Sequence, residues 1–260
     1  MTRRRFPLAA TGAAALAGSL AAAPAKRSII ELRCMKMRNT TQNQMQRTTE
    51  FLREAAMPAV KRAGAAPLGF FASVIGEESP FILVLAAFPS LSAMETIREK
   101  EAEDKDYIKA RDAYNAQPGL GYERIESSLL RCFEGAPNVE VPPTDAQRPA
   151  RVFELRTYES NNGSTLARKI KMFNDGEMRI FKKLGMQPVF FAETIVGSKI
   201  PNLTYMLSFD DLAARERLWK AFGADPDWQK LRSQPGNSDA EIVSNISNSI
   251  LRPLPFSDIR

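Results

Sequence analysis

The 260-residue chain contains no histidine and two cysteines, Cys34 and Cys132. Without an imidazole there is no Ser-His-Asp or Cys-His nucleophile system, no two-histidine iron triad and no proximal histidine for haem. Two thiols are too few for a structural zinc centre, so no metal site is expected. Neither a P-loop nor a G-x-G-x-x-G run is present. Nucleotide cofactors therefore lack their usual phosphate cradle, and no cofactor is assigned. Charges of both signs are interspersed without a sustained basic stripe, which leaves nucleic acid little electrostatic footprint. A bridge between the cysteines is not expected either. Both sit near the C-terminal ends of strands read as antiparallel neighbours, which puts them beyond the ~7 Å Cα separation a disulfide tolerates.

Residues 1–25 read as an export signal. Arg3-Arg4-Arg5 forms a twin-arginine start, a stretch rich in Ala, Gly and Leu follows, and Ala23-Pro24-Ala25 supplies a small-x-small cleavage site. The stretch from Phe6 to Ala25 carries no charge but is too weakly hydrophobic for a firm membrane span. No stable span is expected after cleavage, and the address is the periplasm or cell envelope. Removing three leader arginines leaves 33 basic against 30 acidic residues, so the basic balance belongs partly to the leader.

What is present is a repeat. Shifting the second half back by 121 positions superimposes Gly185 on Gly64, Pro188 on Pro67, Phe191 on Phe70, Gly197 on Gly76, Pro201 on Pro80 and Phe209 on Phe88. Glu31-Leu32-Arg33 returns as Glu154-Leu155-Arg156 at a shift of 123, so the first copy carries two more residues between strand and helix. Each copy reads strand, helix, two strands joined by a Gly/Pro-bracketed turn, helix, closing strand. In the second copy the helix over 164–184 places Leu166, Ile170, Phe173, Phe181 and Leu184 on one face. The first copy answers with Met45, Thr49, Leu52, Val60 and Ala63. Capping boxes are expected at Thr41-Gln42-Asn43-Gln44 and Ser92-Ala93-Met94-Glu95, and helix starts behind Asp211 and at Asp225-Pro226-Asp227. This order is the ferredoxin-like plan of an α+β module. The modules are placed at 26–134 and 150–260, joined by a Pro-rich linker over 135–149. A ferredoxin-like sheet has helices on one face only, so each module needs a partner for its bare face, and the tandem copy is the obvious one.

Val152-Phe153-Glu154-Leu155-Arg156-Thr157-Tyr158, Phe181-Lys182-Lys183-Leu184-Gly185-Met186, Leu203-Thr204-Tyr205-Met206-Leu207 and Asp225-Pro226-Asp227-Trp228 together resemble a NIPSNAP domain. The first half resembles a more diverged copy that keeps Glu31-Leu32-Arg33 but not the tyrosine. The resemblance implies a dimeric alpha-beta barrel with both sheets supplied by one chain. Related barrels include cofactor-free monooxygenases, small-ring isomerases and haem enzymes, so it does not imply one activity.

Alternation along the first strand of each copy sends Phe153 and Leu155 to one face and Glu154, Arg156 and Tyr158 to the other, with Ile30 and Leu32 likewise opposite Glu31 and Arg33. The apolar face is expected to meet the helices and the charged face to line the barrel. There the charges form either an ion-pair network that sets register or a ligand site. In the second case Arg33 or Arg156 clamps a carboxylate or polarised carbonyl, and Glu31 or Glu154 is a base whose pKa burial raises. Phe191 and Tyr205 are expected either to wall a cavity, with Trp219 and Trp228 over its mouth, or to be core. Three functions follow: binding of a small carbonyl- or carboxylate-bearing molecule, a cofactor-independent monooxygenase or isomerase, and a non-catalytic assembly or partner-binding module. Homo-oligomerisation is left open.

Overall fold

The computed structural model describes residues 26–144 and 150–260. The leader and its cleavage site lie outside the described residues. The first module runs β1 (Ile29–Lys36), α1 (Gln44–Phe51), a π-helical turn (Leu52–Ala56), α2 (Met57–Ala63), β2 (Leu68–Ile75), β3 (Phe81–Phe88), α3 (Leu91–Glu103), α4 (Lys105–Asn115) and β4 (Arg124–Cys132). The second repeats the order: β5 (Val152–Glu159), α5 (Gly163–Met172), a π-helical turn (Phe173–Glu177), α6 (Met178–Lys183), β6 (Gln187–Val196), β7 (Asn202–Phe209), α7 (Leu212–Ala224), α8 (Pro226–Arg232), the short α9 (Asp239–Ile242) and β8 (Asn245–Pro253). The eight strands close into one barrel in the order β1-β3-β2-β8-β5-β7-β6-β4, every neighbouring pair antiparallel. Each module is a four-stranded ferredoxin-like sheet. The seams β2–β8 and β4–β6 join them into an intrachain dimeric alpha-beta barrel.

Local chemistry explains most element boundaries. Gly64 (φ 109°) and Gly185 (φ 85°) turn the chain out of α2 and α6 in the left-handed region that favours glycine. Ser90, Asp104, Asp211 and Asp225 cap α3, α4, α7 and α8 through their side chains. Two expected caps are corrected. Asn43 precedes α1 in a left-handed conformation with no side-chain cap, and the cap of α3 is Ser90 rather than Ser92. A ring pair across the β2–β8 seam side, Phe71 and Phe153 at 5.0 Å, packs the modules together inside the barrel.

Each module also extends an arm onto the other. Past β4, Phe133 donates to the Phe191 carbonyl and Glu140 to that of Val189, while past β8, Leu254 donates to Phe70 and Asp258 to Leu68. Both cysteines are free, and each belongs to the apolar barrel core. No helix among the described residues is long and apolar enough to cross a membrane.

The barrel interior reverses the expected strand parity. Ile30, Leu32, Phe153, Leu83, Leu85, Phe190, Met206 and Leu251 pack there as one apolar cluster drawn from both modules. Glu31, Arg33, Glu154, Arg156 and Tyr158 instead point out of the barrel, beneath the helices. The physical reason is that both faces of these strands are buried. The barrel centre is reached by no helix and offers no partners for charge, so it takes the apolar residues. The layer under the helices supplies arginines and hydroxyls, so it can take the charged ones.

Candidate functional site

Beneath the helices of the first module lies a cavity of about 210 Å3. Its floor is the outer face of β1, β2 and β3, where Met35, Leu68, Phe70, Val84 and Ala86 present apolar surface, and its roof is built from Phe51, Leu52, Ala56 and Val60 on the α1–α2 helix. Phe51 stacks on Tyr114 (ring centroids 4.5 Å) and lies 6.0 Å from Tyr107, so one wall is flat and aromatic. Tyr114 is seated by a 2.7 Å hydroxyl contact with Thr48, whose own hydroxyl donates to the Gly121 carbonyl. Gly121 must lack a side chain, because a Cβ there would meet the Tyr114 hydroxyl at 1.8 Å.

The polar side of the cavity gathers Glu31, Arg33, Arg98, Glu101, Tyr107 and Arg111. Glu31 is buried and accepts from Arg33 Nε (2.6 Å), from Arg98 and from Ser127 Oγ (3.0 Å), while Arg98 also donates to Glu101 at 2.5 Å. Burial alone would raise the Glu31 pKa, but Arg33 and Arg98 outweigh it and hold the carboxyl below its ordinary value. The Tyr107 phenol is pushed up, by burial first and by Glu101 second, and so stays protonated. Arg33 keeps 37% of its side chain exposed, and among the described residues its two terminal amino groups have no hydrogen-bond partner.

The second module builds the same layer and fills it. The shift that aligns the copies puts Tyr205 where the first has Val84, Leu207 on Ala86, Phe173 on Leu52, Glu177 on Ala56, Phe181 on Val60, Trp219 on Arg98 and Trp228 on Tyr107, and β-register agrees, with Arg33 facing Val84 and Arg156 facing Tyr205. Phe181 stacks on Phe191 (6.0 Å) and meets Phe222 in a tilted pair (4.7 Å), and Phe173 sits 5.2 Å from Tyr205. Phe191, Tyr205 and Trp228 are therefore core, as is the partly buried Trp219 packed against them. Of the two readings of these residues, core and cavity wall, the structure has the core, and the open cavity lies in the other module, behind smaller residues.

Charge in the second module is spent internally. Glu154, fully buried, accepts from Arg156 (2.8 Å), Arg215 (2.9 and 2.6 Å), Trp219 Nε1 (2.7 Å) and Asn248 (2.9 Å). Burial pushes its pKa up, but Arg215 and the other donors bring it below the ordinary value. Arg156 also donates to the Tyr158 hydroxyl (3.2 Å), which accepts from Tyr205 as well (2.9 Å), and its guanidinium lies 4.6 Å from the Trp219 ring. Deeper in, Lys169 reaches Glu177 (3.4 Å) and Asp239 (3.2 Å) and is surrounded by the rings of Tyr158, Phe173 and Trp228 at 5.4 to 5.5 Å.

The sequence-level candidates thus fall into two separate clusters under two helical layers, not into one barrel site. Glu31 and Arg33 border the open cavity, whereas Glu154, Arg156 and Tyr158 belong to a closed network. Arg98, Tyr107 and Arg111 were missed. Their signal was the shift itself, which sets two of them against tryptophans. Among the described residues no group of acids and cysteines is arranged to hold a metal ion.

Two solved structures share the full architecture. A monooxygenase-like protein from Fusobacterium nucleatum superimposes at a TM-score of 0.59 with 6% identity, over 88% of this chain and 93% of that one. A second, from Lactobacillus acidophilus, gives 0.55 with 10% identity over 87% and 94%. A NIPSNAP protein of unknown function from Agrobacterium tumefaciens is 24% identical over 43% of this chain and 95% of its own, at a TM-score of 0.38. No curated protein matches. The NIPSNAP family model matches residues 30–137 and again 153–258, covering both copies. With two NIPSNAP domains spanning most of its length, the chain belongs to the NIPSNAP family.

Proposed function

We propose that this protein binds a small, mostly apolar molecule in its first module, between the outer face of the sheet and the helices. The observation that carries the reading is the contrast between copies. One layout is filled by aromatic side chains in the second module and left open by smaller ones in the first, where the volume of about 210 Å3 is below the ~300–1,000 Å3 typical of drug-sized ligand sites and suits a smaller molecule. In this reading the second module is a structural copy that closes the barrel.

An isomerase or monooxygenase reading needs a proton acceptor facing the ligand. Of the two buried carboxylates at this cavity, Glu31 is held ionised by two arginines and is a weak base, and Glu101 is engaged by Arg98 at 2.5 Å. Binding therefore takes precedence over catalysis. The role of a partner-binding module has no comparable support.

Val84→Phe and Ala86→Leu should each fill the cavity with a side chain like its counterpart in the second copy. Native mass spectrometry of the purified protein is expected to show a bound small molecule in the wild type and its loss by at least about tenfold in both variants, with melting temperatures within a few degrees of wild type. Retention of the same bound mass by folded Val84→Phe would sink the reading.

Export through the leader completes the proposal. Arg3→Lys with Arg4→Lys should trap precursor inside the cell, because the paired arginines precede a weakly apolar stretch and an alanine cleavage site. Normal processing of that variant, followed by immunoblotting of cell fractions, would remove the compartment assignment.

A further inference from the structure

We infer that the ligand of the first-module cavity is a monocarboxylate with a compact apolar body, its carboxylate held by the Arg33 guanidinium at the mouth. This deepens the proposed small-molecule reading and rests on it. The second module provides the internal comparison. There the equivalent arginine, Arg156, is enclosed. Its terminal nitrogens donate to Glu154 and to the Tyr158 hydroxyl, and Trp219 covers its guanidinium. In the first module Met35 stands where Tyr158 would be, and Arg98 replaces Trp219. Arg33 loses both the hydroxyl acceptor and the aromatic cover, and it spends only Nε, on Glu31 at 2.6 Å. Its outer edge, with two parallel N–H donors, is the geometry that takes a carboxylate in bidentate fashion.

The other charges at the cavity are paired among themselves. Arg98 divides its terminal nitrogens between Glu31 and Glu101, and Arg111 is turned to Asp112 at 2.9 Å. Among the described residues Arg33 is the one lining arginine with both terminal nitrogens unspent, so it is where an added carboxylate finds donors. The protonated Tyr107 phenol lies among the same arginines and adds a neutral donor. Beyond Tyr114, Asn115 and Tyr122, the rest of the lining, including Phe51, Leu52, Val60, Phe70 and Val84, is apolar and accepts a mostly apolar body. The volume of about 210 Å3 limits that body to roughly the size of a phenyl ring with a short chain.

The test is isothermal titration calorimetry of the full mature chain with 3-phenylpropanoate and octanoate, against 3-phenylpropanamide and octanol as uncharged counterparts. Wild type should bind at least one carboxylate about tenfold or more tightly than its uncharged counterpart. Arg33→Gln should bring the two to similar affinity without moving the melting temperature by more than a few degrees. Arg33→Lys should restore part of the preference, since a point charge attracts the carboxylate without the paired geometry. Equal affinity for charged and uncharged probes in wild type would overturn the carboxylate assignment and leave the cavity reading standing. A folded Arg33→Gln variant that keeps the full carboxylate preference would overturn the role of Arg33. Absence of binding by all four probes, in a protein that Val84→Phe also leaves unchanged, would overturn both the inference and the cavity reading beneath it.

Discussion

Glu154→Ala is expected to destabilise the protein by about 3–5 kcal/mol, because it strands two largely enclosed guanidiniums, Arg156 and Arg215, without their counter-charge. For a chain of this size that is a drop in melting temperature on the order of 10 °C. The acid limb of the stability curve should change as well. Glu154 has a folded pKa below its ordinary value of 4.5, so its contribution is present above that value and is lost as pH falls through the lower folded value. Wild type should lose stability over that window, and the variant should lose less. Glu31→Ala in the first module removes a similar residue but should cost less, about 1.5–3 kcal/mol, since Arg33 already reaches water. Urea unfolding of the three proteins checks the order, and a loss under 1 kcal/mol for Glu154→Ala would mean that the network does not hold the second module together.

A simple double replacement of Glu154 and Arg156 would not restore stability. The pair is not isolated, and Arg215, Trp219 and Asn248 would lose their acceptor with it. Trp219 stands out in the sequence only as an aromatic candidate, and Arg215 and Asn248 do not stand out at all. Arg215 and Trp219 lie on α7, more than fifty residues from β5, and only the crossing of that helix over the sheet brings them to Glu154.

Lys169→Met should be comparably severe at neutral pH, on the order of 3–5 kcal/mol. Lys169 has 1% of its side chain exposed and Glu177 2%, so removing the ammonium leaves a buried carboxyl without a partner. Burial already pushes the Glu177 pKa up. In the variant the folded state therefore holds a proton that the unfolded state releases. The loss should shrink as pH is lowered towards 4.5 and grow as it is raised. Lys169→Met combined with Glu177→Leu should recover most of the stability, because it replaces both ends of a buried pair with apolar groups. Thermal melts at pH 5 and pH 8 separate the cases. A single variant whose loss is the same at both values would show that Glu177 is not the stranded group.

The architecture was legible in the sequence because its evidence is repeated. The glycines at 64 and 185, the turn prolines and the Glu-Leu-Arg strands each occur twice, so an error in one copy is corrected by the other. The bounds of β2 and β3 follow from apolar runs on either side of the Gly76–Pro80 turn and those of β5 from alternation, and the structure has them as Leu68–Ile75, Phe81–Phe88 and Val152–Glu159. Which face of β1 and β5 turns inward was not legible. Alternation separates Phe153 from Glu154, but in a closed barrel covered by helices both faces are buried, and polarity alone does not say which is the drier. The answer lay in residues distant in sequence, Arg98 and Arg215, that wait under the helices to pair with the acids. The cavity had a fainter signal. Val84, Ala86 and Val60 read as ordinary core until they are set beside Tyr205, Leu207 and Phe181, and only the aligned copy reveals the missing volume.

Among the described residues, the layer under the helices is open in the first module and filled in the second. Xenon enters dry apolar cavities regardless of what ligand a site has evolved to take. Crystals of residues 26–260 pressurised with xenon should show it bound among Leu52, Val60, Phe70 and Val84, with none among Phe173, Phe181, Phe191 and Tyr205. Xenon in the second module or inside the barrel, with none in the first-module cavity, would contradict it.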